Sequence, residues 1–127
     1  MTWSHGQFHW NELMTRDVAR AEKFYADALG WSYDSMPTPD GGQYVIAKAN
    51  GVPAAGIFDI SGAAYNGVPE SWMPYIAVDD VDARVKKATT AGAKVMKPAF
   101  DVPGVGRIII LTEPGGAGVG WMTPAGN

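Results

Sequence analysis

The stretch Glu12 to Trp31, ELMTRDVARAEKFYADALGW, decides the fold. Ahead of it and into it, Phe8 to Thr15 reads as a strand that runs into Asp17, a residue type that caps helix N-termini. Val18, Ala21, Phe24, Tyr25, Ala28 and Leu29 then recur at three- and four-residue spacing, which lays an apolar stripe along one helix before Gly30 stops it. The same order returns in Ser71 to Val95, SWMPYIAVDDVDARVKKATTAGAKV. There Trp72 to Val78 is the strand, Asp80 the cap, Val81, Val85 and Ala88 the stripe, and Gly92 the stop. The two caps lie half a chain apart, so the simplest reading is a duplicated unit of roughly 60 residues.

Each copy continues as three further strands. In the first these are Trp31 to Met36, Gln43 to Ala49 and Val52 to Ile60, separated by a turn over Pro37, Thr38, Pro39, Asp40, Gly41 and Gly42 and by the hairpin signal Asn50-Gly51. In the second they are Lys94 to Phe100, Arg107 to Thr112 and Val119 to Thr123, with turns over Asp101 to Gly106 and Glu113 to Gly118. A βαβββ unit covers one sheet face with its helix and leaves the other bare, so the copies must cover each other or something else. The expected fold is therefore α+β: two βαβββ modules, about 8–60 and about 72–124, pairing into a curved, half-open mixed-sheet barrel around a cavity suited to a small molecule. The polar linker 61–71 is a candidate lid.

Composition narrows the chemistry. The 127 residues allow one compact domain, and a formal charge of −3 with ten scattered Lys and Arg leaves no basic stripe for nucleic acid. With no cysteine, there is no thiolate nucleophile, disulfide or Cys-ligated metal. The N-terminal MTWSHGQFHW lacks a basic n-region and an apolar h-region, and no apolar run approaches the roughly 18 residues of a membrane span. The expected setting is cytoplasmic, with no membrane partner.

Taken together, ELMTRDVARAEKFYADALGW, SWMPYIAVDDVDARVKKATTAGAKV and GRIIILTEPGGAGVGW (Gly106 to Trp121) resemble the vicinal oxygen chelate superfamily, which includes glyoxalase I, bleomycin-resistance proteins and extradiol dioxygenases. The resemblance extends over nearly the whole chain and looks most like a metal-poor, glyoxalase-like branch. It implies a divalent metal held by His, Glu or Gln from the first and fourth strands of each copy. Seven residues before each capping Asp, those positions fall on Trp10 and Met73, and the fourth-strand positions fall in Gly56-Ile57-Phe58 and on Gly120. Divalent ions need several converging N or O donors, so the expectation is no metal cofactor. The alternative is one divalent ion held by His9, Glu12, Glu70 or Glu113 in unexpected positions, serving a metal-dependent glyoxalase, isomerase or dioxygenase.

Side-chain alternation selects the candidate site. Trp10, Glu12 and Met14 share one strand face, and His9, Asn11 and Leu13 the other. Glu12 is the candidate catalytic group, a carboxylate whose desolvation would make it a general base. Trp10, Met14, Phe58, Trp72, Met73, Tyr75 and Trp121 are candidate ligand-binding residues that would line or rim an aromatic cavity, with Arg107 as a candidate anion contact. His5 reads as part of a mobile N-terminal stretch, the Gly-rich turn after Pro114 as a hairpin turn rather than a phosphate loop, and Asp79, Asp80 and Asp82 as helix N-terminal acids. The expected function is binding of a small, flat or apolar ligand. The resemblance implies a homodimer, a C2 interface being the commonest closed solution; a purely structural module whose dimer interface is its role is the third possibility.

Overall fold

The computed structural model describes residues 3–38 and 41–126, so Pro39 and Asp40 of the expected Pro37 to Gly42 turn lie outside the described residues. The chain is α+β and divides into two compact units, one spanning Trp10–Trp72 and the other combining the residues up to His9 with those from Met73 onward. In chain order come β1 (Phe8–Thr15), α1 (Val18–Leu29), β2 (Ser32–Pro37), β3 (Gln43–Ala49), β4 (Val52–Asp59), a short 3-10 turn at Ala63–Tyr65, β5 (Ser71–Ala77), α2 (Val81–Thr90), β6 (Lys94–Val102), β7 (Gly106–Thr112) and β8 (Gly118–Pro124). No helix among the described residues is long and apolar enough to cross a membrane.

In the first unit the strand order is β2-β3-β4-β1, with β1 parallel to β4 and the other pairs antiparallel. α1 forms because Asp17 accepts the Arg20 N–H at 3.0 Å, and it ends at Gly30, whose φ of 75° lets Trp31 N reach back to Tyr25 O. Its buried Ala21 packs on Val45 and Ile57, with Leu13, Val18 and Tyr33 around them. The apolar stripe is only partly buried: Phe24 and Leu29 are each 60% exposed, which corrects the sequence-based stripe. Ala21, the buried one of the stripe's two alanines, faces the sheet, and Phe24 is left to pack edge-on against Tyr25, which stacks on Trp31. The Asn50-Gly51 hairpin forms as expected, both residues having positive φ, 53° and 79°, as a type I′ turn demands.

The linker is stapled down within this unit. Arg16 donates to the carbonyls of Tyr65 and Val68, Glu70 accepts from Thr15 Oγ1 at 2.8 Å and from Arg20 Nη2 at 2.7 Å, and Ser61 N donates to Asp59 at 2.7 Å. The Arg20 and Thr15 hydrogen bonds hold the Glu70 carboxyl below its usual range.

The second unit repeats the plan with order β5-β8-β7-β6, β5 being parallel to β8. Asp80 caps α2 by accepting the Ala83 N–H at 3.1 Å, and Val81 packs with Val78, Ile109, Leu111 and Val119. The N-terminal stretch belongs to this unit and is tied to it: Gly6 N donates to Ala77 O at 2.7 Å, Ala77 N to Gln7 O at 2.8 Å, and Asp79 N to His5 Nδ1 at 3.0 Å. His5 thus has a structural partner, where the sequence suggested a mobile end.

Candidate functional site

Strand alternation sorts the candidates by face. In β1, Leu13 packs with the α1 cluster, so Trp10, Glu12 and Met14 point to the helix-free face of the first unit. In β4, Ile57 packs under α1, which places Gly56 and Phe58 on that same helix-free face, and parallel pairing sets Glu12 opposite Gly56 and Met14 opposite Phe58. The structure therefore brings Trp10, Glu12, Met14 and Phe58 together.

The residue that organises them is one the sequence reading passed over. Tyr44, on β3, alternates with the buried Val45 and so projects to the helix-free face. Its hydroxyl donates to Glu12 Oε2 at 2.8 Å and accepts the Trp10 indole N–H at 3.1 Å. Burial, with the Glu12 carboxylate beside it, pushes the Tyr44 hydroxyl far above the ordinary phenol range, so it stays protonated and remains a donor. The ring reaches Glu12 by crossing Gly56, where a Cβ would overlap the Tyr44 hydroxyl. A glycine inside a strand is the sequence signal that could have found this close approach.

On the helix-free face of the second unit stand Met73 and Tyr75, because Ile76 packs against the α2 cluster. Tyr75 pairs directly with Gly120 and its ring lies where a Cβ on Gly120 would sit. Tyr75 is buried, as are Ala77, Ile108 and Met122.

Three candidates lie elsewhere. Trp72 precedes Met73, and neighbouring strand residues face opposite ways; its indole packs edge-on against Tyr25 and Trp31, 5.9 and 6.3 Å between ring centroids. Trp121 follows Gly120 and packs against the cluster under α2. Arg107 shares its face with Ile109 and Leu111, on the helix side, where Asp82 accepts from two of its nitrogens at 3.0 and 3.1 Å and Asp101 from a third at 3.1 Å. Alternation excludes these three from the helix-free faces. A separate cleft of about 260 Å³ lies on the helix side of the first unit, lined by Leu13, Thr15, Arg20, Phe24, Tyr25 and Glu70 among others. Its polar groups satisfy one another through the Thr15–Glu70–Arg20 bonds.

Residues 7–120 match the model of the glyoxalase/bleomycin resistance protein/dioxygenase superfamily. The chain belongs to this superfamily. It is 44% identical over 119 residues to the protein named "Putative glyoxylase CFP32" of Mycobacterium tuberculosis, covering 93% of this chain and 46% of that protein. It is 33% identical over 119 residues to the anthracycline biosynthesis protein DnrV of Streptomyces peucetius, covering 85% of this chain and 43% of that one. The chain thus spans about half the length of these relatives. Among solved structures, methylmalonyl-CoA epimerase of Mycobacterium tuberculosis superposes with a TM-score of 0.65 at 19% identity, covering 99% of this chain and 94% of that one. A hypothetical protein of Bacillus halodurans superposes with a TM-score of 0.73 at 9% identity, covering 98% of each chain. At these identities the two structures speak for the glyoxalase fold alone.

The superfamily's divalent metal does not fit the positions that the resemblance assigns to it. They carry Trp10, Met73, Gly56 and Gly120, which offer no donor for such an ion, and tyrosine rings take the room above both glycines. Among the described residues no group of three or more His, Asp or Glu converges as a ligand set elsewhere.

Proposed function

We propose that this superfamily member binds a small, flat ligand on the helix-free face of its first unit without the superfamily's metal. Trp10 supplies aromatic surface, Met14 and Phe58 extend it, and Glu12 accepts a hydrogen bond from the ligand. The observation that carries this reading is the Trp10–Tyr44–Glu12 chain over Gly56: three half-buried polar groups linked at 3.1 and 2.8 Å where a metal-binding member would present a carboxylate. A satisfied hydrogen-bond chain on a mostly apolar sheet face holds its members rigidly, and a few fixed polar groups on apolar surface are what orients a small ligand. A relative named for anthracycline biosynthesis is in keeping with a flat ligand.

Two naphthalene probes test the reading by calorimetry. 2-Naphthol carries a hydroxyl donor and 2-methoxynaphthalene does not, so the wild-type chain should bind 2-naphthol about tenfold more tightly, the size of one hydrogen bond to a charged acceptor. Glu12→Gln should erase most of that preference. Equal affinities for both probes, or no binding of either, would overturn the proposal. Separately, from the superfamily resemblance, we propose that the chain acts as a homodimer, which sedimentation equilibrium measures directly.

A further inference from the structure

We propose that Tyr44 is a positioning residue for Glu12, fixing the orientation of its carboxylate through a donated hydrogen bond, and that Gly56 is the gap this arrangement requires. An indole N–H only donates, so Trp10 Nε1 occupies a Tyr44 lone pair and leaves the single hydroxyl proton to point away from it. That proton goes to Glu12 Oε2, the short member of the chain at 2.8 Å. The order of donors is therefore fixed from Trp10 through Tyr44 to the carboxylate, and a carboxylate that accepts such a bond is favoured in its charged form. Gly56 pairs with Glu12 on one side and Ile46 on the other, so the phenol can pass over it only because position 56 has no side chain. In the second unit the residue facing the matching glycine is Tyr75 itself, so no carboxylate there needs positioning.

What Glu12 meets in the ligand rests on the binding reading above, but the positioning role is measurable in the ligand-free chain. The protein has four glutamates, Glu12, Glu22, Glu70 and Glu113, and carbon-13 labelling of their carboxyls with NMR detection gives four titration curves. Glu12→Gln identifies the Glu12 signal by its loss. Tyr44→Phe keeps the ring over Gly56 and removes only the hydroxyl, so the Glu12 midpoint should move up by about one pH unit while the other three stay in place. As a second variant, Trp10→Phe leaves Tyr44 in place but removes the indole donor, and the Glu12 midpoint should rise by a smaller amount. An unmoved Glu12 midpoint in folded Tyr44→Phe, or in Trp10→Phe if the first variant does not fold, would overturn the positioning role. A shifted midpoint together with indifferent naphthalene binding would retain that role and sink the ligand reading instead.

Discussion

The two units share a strand order and a glycine, yet treat the space above that glycine differently. Five residues ahead of each helix cap stands the residue that faces it: Glu12 opposite Gly56 in the first unit, Tyr75 opposite Gly120 in the second. Two residues earlier stand Trp10 and Met73. On the third strand, β3 pairs Val45 with Ile57 and β7 pairs Ile109 with Trp121, which makes Tyr44 and Ile108 counterparts. Trp, Glu and Tyr in one unit thus become Met, Tyr and Ile in the other. The first unit keeps a hydrogen-bonded polar chain, and the second fills the same place with a buried ring among apolar side chains. One copy thus keeps polar side chains over its glycine, while the other is filled by a ring.

That contrast can be broken most forcefully at the glycines. Gly120→Ala should be the more destabilising, by about 3 kcal/mol, because the Tyr75 ring it meets is only 7% exposed and has nowhere to go. Gly56→Ala should cost less, about 2 kcal/mol, since the half-buried Tyr44 can swing outward, but it should abolish the preference for 2-naphthol. Adding Tyr44→Ala to Gly56→Ala should cost less than the two single changes together, because without the Tyr44 ring the new Cβ meets no clash; denaturant unfolding of the four chains gives the coupling. Equal losses at Gly56 and Gly120 would erase the distinction between an open and a closed copy.

Smaller effects sharpen the comparison where the units are alike. Asp17→Ala and Asp80→Ala should each lower stability by about 1 kcal/mol, since each cap accepts one backbone N–H at nearly the same distance, 3.0 and 3.1 Å. The linker staple is confined to the first unit and gives it an acid dependence. Glu70 has a folded-state pKa below its ordinary 4.5, so its contribution is complete above that pH and is lost as pH falls through the lowered value. The Tm difference between wild type and Glu70→Gln should therefore hold steady above about pH 4.5 and shrink as the pH falls below it. At the small end, Arg107→Gln should leave 2-naphthol affinity unchanged, as its guanidinium is held by Asp82 and Asp101 on the helix side.

Much of the fold was legible because its signals are local. The strand from Phe8 to Thr15 and the strand from Gln43 to Ala49 stand where alternation put them, and the Asp17 and Gly30 caps bound α1 as their side-chain chemistry predicts. The candidate site was half legible. Glu12 shares a face with Trp10 because alternation within one strand is a local property. Trp72 and Trp121 were expected to line or rim the cavity, but alternation turns each away from its neighbours Met73 and Gly120, and both indoles pack on the helix sides.

By itself, the sequence determined the duplication, the helix caps, the hairpin turn and the absence of ligand residues at the superfamily's metal positions, since each depends on residue type at short range. Only the tertiary structure decided that Tyr44 reaches Glu12. That contact joins residues 32 apart in the chain, and it depends on β4 lying between β3 and β1 with a glycine at the crossing point. Side-chain spacing along one strand carries no information about which strand lies next to it, so strand pairing had to form before this site could be seen.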